Sequence, residues 1–240
     1  MAFQTLLVVL FTWFGSPLPV EEAAASTGFA LVELYTSQGC SSCPPADRVL
    51  AQLVEKARQE DLPLYALSFH VDYWNRLGWT DPYSDPAYSR RQRAYAHVLN
   101  ERVYTPQMIV NGREVFVGSR AETARRAVEK HLRQEALSQI RLIRSEDAGN
   151  VRVLLNGKTE GITLRYAWVD AQKSNPVPRG ENAGRQLTHV QVVRELGVLD
   201  HTGEPPTLEL TDRIAEGSEL IVFSQDRETW QVYGAARIAF

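Results

Sequence analysis

Sulfur is scarce in this chain: two cysteines and two methionines in 240 residues. Two cysteines cannot build a disulfide framework, and a zinc site would have to borrow from five scattered histidines. Charge of one sign is also missing. With a net charge of −3 and no long basic run, composition makes no case for nucleic acid or an anionic membrane as partner. No internal repeat, low-complexity tract, or Met-rich or His-rich segment occurs. Nor is there an apolar run long enough to span a bilayer. The run Leu6 to Phe14 is too short, and with Ala23-Ala24-Ala25 ahead of Ser26 it reads as a secretory signal peptide over residues 1–25, although no Lys or Arg precedes it. The expectation is an exported protein, periplasmic or secreted, with no integral span once the signal is removed. Thiols there are readily oxidised.

Both cysteines fall in one quartet, Cys40-Ser41-Ser42-Cys43, between a strand-like and a helix-like run. Two thiols spaced i, i+3 at a helix start can close a small disulfide. The free N–H groups and dipole of the helix favour a thiolate on the first of them. Residues 29–35 (FALVELY) form a nearly continuous apolar run, as in a strand buried on both faces. After the quartet, Ala46, Val49, Leu50, Leu53, Val54 and Ala57 recur at helical spacing. Residues 64–71 (LYALSFHV) give a second buried strand, so the order implies a right-handed parallel unit. Asp85-Pro86 marks a helix start, and Asn111-Gly112 between two short apolar runs marks a hairpin. Ser119 to Glu122 spells a capping box that opens another helix with His131 inward.

The pattern changes near Ser138. Short alternating runs then follow, from Ile140/Leu142 through Leu220/Val222 to residues 232–240, with Gly, Asn and Asp turns between them. The expectation is an α/β domain over residues 27–137, followed by an all-β, sandwich-like domain over 138–240. An aromatic-rich insertion at about 72–100 interrupts the first domain.

The order of elements, with Cys-x-x-Cys at the first strand-to-helix junction, resembles the thioredoxin/glutaredoxin superfamily. The segment Tyr104-Thr105-Pro106-Gln107-Met108-Ile109-Val110-Asn111-Gly112 is similar to the glutaredoxin segment around its cis-proline. The chain resembles still more closely an uncharacterised family of secreted bacterial thioredoxin-like proteins, catalogued as a domain of unknown function. That likeness rests on Tyr-Thr-Ser-Gln-Gly-Cys-Ser-Ser-Cys-Pro-Pro-Ala-Asp ending at Asp47, His-Val-Asp-Tyr-Trp ending at Trp74, and Arg-Gly-Glu-Asn-Ala-Gly-Arg ending at Arg185. The resemblance implies a thioredoxin-like first domain in which Pro106 is cis beside the disulfide. The Thr105 backbone would then pair with an incoming extended peptide.

As chemistry, Cys40 is the expected nucleophile, being the more exposed and nearer the helix N-terminus, and Cys43 resolves the mixed disulfide. Ser41 and Ser42 are placed to donate hydrogen bonds to a thiolate. Pro44 and Pro45 suit a first helical turn, but Pro44 disfavours helical geometry at Cys43. Glu33 lies within the first strand, one residue further from the motif than the buried carboxylate of thioredoxins. It is either a proton acceptor for Cys43 or a glutamate paired with a nearby Arg. Trp74, Trp79 and their aromatic neighbours form either a substrate rim or a packed joint between domains. The turn-rich loop at residues 175–186 either holds a defined shape or binds toward the first half.

Three functions follow in order. The first is an extracytoplasmic thiol:disulfide oxidoreductase acting on protein thiols and disulfides, with the Cys40–Cys43 pair as its only redox group and no other cofactor. The second is a non-enzymatic carrier in which Cys40, Cys43 and His70 hold copper(I). The third is a partner-binding protein in which the β half works and the cysteines merely brace. Redox direction and oligomeric state are not fixed by any residue.

Overall fold

In a computed structural model that describes residues 28–144, 150–209 and 216–240, the first apolar run is the strand β1 (Ala30–Thr36), buried at every position. The signal-peptide expectation lies outside the described residues. Alternation along β1 sends Val32 and Leu34 to one face of a sheet, and Leu31 and Tyr35 to the other. Helix α1 (Pro44–Gln59) lies on the first face, burying Ala46, Val49, Leu50 and Val54. Strand β2 (Leu64–His70) returns parallel to β1, with Thr36 beside His70 at the end of the register. Helix α2 (Pro86–Val98) covers the opposite face through Tyr88 and Tyr95. Its start is as read: Asp85 accepts from the Ala87 N–H at 2.7 Å, and Pro86 takes the first helical position.

Strands β3 (Gln107–Val110) and β4 (Glu114–Val117) form the expected hairpin, with β3 antiparallel to β1. Asn111 and Gly112 both take positive φ, 48° and 64°, as a two-residue turn of this hand requires. A Cβ on Gly112 would come within 2.1 Å of the Trp230 carbonyl oxygen, so the turn admits only glycine there. Helix α3 (Ala121–Leu132) returns to the α1 face and buries His131. The capping box does not form. The cap position falls on Arg120 rather than Ser119, and a guanidinium has no acceptor to offer the helix N–H groups, while Glu122 pairs with Arg125 and Arg126 at 2.7 and 2.8 Å.

The second half begins at β5 (Ser138–Arg144), where the pattern changes, but it does not stand apart. Strands β7 (Ile162–Val177), β8 (Arg185–Leu199), β10 (Ser218–Asp226) and β11 (Val232–Ala239) continue the first sheet. The result is eight strands in the order β11-β10-β7-β8-β2-β1-β3-β4. The seam is a parallel bridge between Ser68 of β2 and Val192 of β8. Strands β5, β6 (Asn150–Gly157) and β9 (Thr207–Glu209) make a separate three-stranded sheet. Val151 and Val153 of that sheet pack on Leu164, Trp168, Leu220 and Val222 of the large one. Two sheets therefore do face each other, as in a sandwich, yet one layer is shared with the Cys-x-x-Cys half. No described helix is long and apolar enough to cross a membrane.

Candidate functional site

Strand β1 ends at Thr36, and a turn over residues 37–39 delivers Cys40 to the start of α1. Cys40 and Cys43 are joined in a disulfide with Cα atoms 5.4 Å apart. Cys43 sits at the cap of α1 with φ −78° and ψ −39°, so its geometry is helical despite the following proline. The Ala46 and Asp47 N–H groups both donate to its carbonyl, at 2.8 and 3.2 Å, which holds that conformation against the Pro44 clash. The first cysteine is not the more exposed one. Both are wholly buried.

Several expected residues do gather at Cys40. Ser42 Oγ lies 3.3 Å from its sulfur, and Thr105 Oγ1 approaches to 3.4 Å. Trp74 donates its indole N–H to Thr105 Oγ1 at 2.8 Å. Gly39 lets that indole settle on the turn, since a Cβ there would meet the Trp74 Cβ at 3.0 Å. The Thr105–Pro106 peptide bond is cis, and Pro106 is buried. Ser41, expected to serve the sulfur through its hydroxyl, instead bonds Glu181 with its side chain and its backbone, the N–H donating to Glu181 Oε2 at 3.0 Å.

Glu33 is not in the site. Period-two alternation puts it on the α2 face, across the sheet from α1 and Cys43. There it is buried in a two-pronged pair with Arg91, at 2.7 and 2.9 Å, and accepts from Tyr35 and Tyr95. The pairing half of the Glu33 alternative is therefore the observed one. Among the described residues no three of His, Cys, Asp and Glu are grouped to hold a metal ion. Of the residues named for copper, His70 has its Nδ1 on Asp81 Oδ2 at 2.7 Å, and Cys40 and Cys43 are joined to each other.

What lies behind the motif is a buried polar cluster on the α1 face. Asp47, in the first turn of α1, accepts from Thr36 Oγ1 at 3.0 Å and stands 3.5 Å from His189 Nδ1. The rings of His70 and His189 meet edge to face at 4.5 Å. Gln38 ties the cluster to the turn. Its N–H donates to Asp81 at 2.8 Å, and its Oε1 accepts from Trp79 at 3.0 Å. Because an indole N–H only donates, the Gln38 amide nitrogen must face His189 Nε2, 3.2 Å away. A neutral His189 then accepts there and carries its proton on Nδ1 toward Asp47. Burial disfavours a charged His189, but the carboxylates of Asp47 and Asp81 outweigh it and raise its pKa. Burial likewise opposes ionised Asp81, yet His70 and the Gln38 and Tyr83 N–H groups hold it below the ordinary carboxylate value.

The segment read as a loop over 175–186 is the tip of the β7–β8 hairpin, strand up to Val177 and again from Arg185, and of the two readings it is the one that reaches toward the first half, through residues that were not singled out. Asn175 exchanges hydrogen bonds with the Gln38 side chain, at 2.7 and 3.2 Å. Asn182 donates to the carbonyls of Gln38 and Cys40, both at 2.9 Å. The Arg179 to Arg185 motif was the available signal for this loop, and the Pro-Pro-Ala-Asp end of the first motif was the signal for Asp47. Nothing flagged His189. Both tryptophans of the insertion point their N–H groups into this assembly, so they bind the site together as well as pack.

A family model described as a protein of unknown function (DUF1223) matches residues 31–225. A crystal structure of a protein from Agrobacterium tumefaciens is similar at 25% identity and a TM-score of 0.72, over 90% of this chain and 96% of that one. HBP35 of Porphyromonas gingivalis shares the fold at 13% identity and a TM-score of 0.59, over 90% of this chain and 76% of that one. No curated protein matches in sequence.

Proposed function

The chain belongs to the DUF1223 family of unknown function, and on that footing we propose that it is a thioredoxin-like thiol:disulfide oxidoreductase working on protein thiols outside the cytoplasm. The observation that carries this reading is the disulfide at the start of α1, with the Thr105 hydroxyl of a cis Thr-Pro pair 3.4 Å from Cys40 Sγ. A substrate thiolate attacks Cys40 Sγ and Cys43 leaves as a thiolate. The dipole of α1 favours negative charge at that end of the helix. The Thr105 hydroxyl, oriented by Trp74, is a donor for charge on Cys40. Thr105 and Pro106 lie directly before β3, where an extended substrate segment would lie along the chain.

The test is a trapping experiment with purified Cys43→Ser and Cys40→Ser variants. Cys43→Ser is expected to accumulate mixed disulfides with glutathione and with a denatured thiol protein through Cys40, whereas Cys40→Ser forms far fewer. Absence of any reversible exchange in the wild type, even after prolonged incubation with glutathione, would overturn the reading.

A further inference from the structure

The turn between β7 and β8 crosses from the second half of the chain onto the Cys-x-x-Cys turn. Gly184 N–H closes it on Val177 O at 2.8 Å. Within it Asn182 is wholly buried although its neighbours Glu181 and Ala183 are exposed. Its amide grips two carbonyls of the motif turn, and its Oδ1 accepts from Arg185 at 3.0 Å. An asparagine fixed this way aims the residue before it. Glu181 thereby reaches the Ser41 N–H at 3.0 Å. Hydrogen bonds from the Ser41 side chain and backbone hold its carboxyl below the ordinary glutamate range, so it is ionised at neutral pH.

The Ser41 N–H belongs to the residue that directly follows Cys40, just ahead of the Cys43 cap of α1, and it is taken up by the Glu181 carboxylate. Resting on the oxidoreductase reading, we propose that Glu181 is a positioning residue for Cys40: anchored on the amide of the next residue, it sets a negative charge one residue from the cysteine, disfavouring the thiolate and favouring the disulfide. Exchange proceeds in two steps. A substrate thiolate bonds to Cys40 Sγ, the Cys40–Cys43 bond breaks, and Cys43 departs with the electron pair and takes up a proton. A second substrate thiolate attacks the substrate sulfur of the mixed disulfide, and Cys40 departs as a thiolate. The substrate loses two electrons and the pair gains two. Glu181 acts on the second departure, where charge appears on Cys40. A protein whose reduced form is stabilised is the stronger oxidant, so Glu181 pushes this pair toward the reducing end.

The other titratable groups around the motif are Asp47 of α1, His70 of β2, Tyr73, Asp81 and Tyr83 of the following loop, and His189 and Arg185 of β8. All stay in place in a variant at Glu181. The experiment compares reduced wild type, Glu181→Gln and Glu181→Asp by the pH dependence of Cys40 alkylation and by equilibrium against glutathione. Glu181→Gln is expected to raise the thiolate fraction below the thiol midpoint, and to shift the equilibrium toward the dithiol, each by about two- to fivefold, the size of a charge effect at a helix start. Glu181→Asp is expected to stay near wild type. Identical behaviour of Glu181→Gln and wild type overturns the proposal, and so does an equal shift in both variants, which would mark lost packing rather than charge. A thiolate shift without any exchange by the wild type with protein thiols would sink the oxidoreductase reading instead, leaving the Glu181 effect standing.

Discussion

Glu33 shows how much one position matters. A carboxylate one residue nearer the motif would share the face of Leu34 and lie under α1. At 33 it faces α2, and the pleat allows no compromise, because a shift of one reverses every side chain. The sequence carried this parity, so the side on which Glu33 lies was legible. Its partner was not, since Arg91 comes from another helix and is met only after folding. That pair is buried among Phe69, Tyr95, Phe223 and Trp230, whose rings lie 5.1–5.7 Å from the guanidinium carbon. Arg91→Met is therefore expected to cost about 3–5 kcal/mol, because it leaves a buried carboxylate uncompensated. Urea unfolding checks the magnitude, and Glu33→Leu combined with Arg91→Met should recover most of it. Cys40 alkylation, measured on whatever folds, should be unchanged by Glu33→Gln.

Among elements, most of those with local signals came out as read, the capping box ahead of α3 excepted. The strand before the cysteines, α1 behind two prolines, α2 behind Asp85-Pro86 and the Asn111-Gly112 hairpin each answer to residues within a few positions. The β7–β8 hairpin has no such signal for its destination. Its turn residues announce a bend, but Asn182 finds the Cys40 carbonyl 142 positions away. Because that amide satisfies two carbonyls, Asn182→Ala should destabilise the oxidised protein by about 1–3 kcal/mol. It should also speed reduction of the disulfide by a small dithiol, since the cover over two fully buried sulfurs is loosened. Rates of reduction and urea midpoints measured side by side check both effects. An unaltered reduction rate would mean that the tip does not govern access.

At the scale of the molecule, the eight-stranded sheet and the buried cluster of Asp47, His70, Asp81 and His189 bind the two halves together. The motif turn itself is held by residues from both. Calorimetry is expected to show one cooperative transition, with calorimetric and van't Hoff enthalpies equal, rather than separate melting of residues 28–137 and 138–240. Two resolved transitions would show that the seam between β2 and β8 is weak. The chain by itself determined where strands and helices begin, that both sulfurs sit in one turn at a helix start, and that an all-β pattern follows residue 138. Those features depend on neighbours along the backbone, through propensity, capping and alternation. The tertiary structure alone decided that β8 docks on β2, that a carboxylate and an amide from the second half close over the cysteines, and that two histidines share one polar pocket. Such pairings depend on which open sheet edge and which unfilled hydrogen-bond donors meet in space, and no local pattern encodes a meeting across 140 residues.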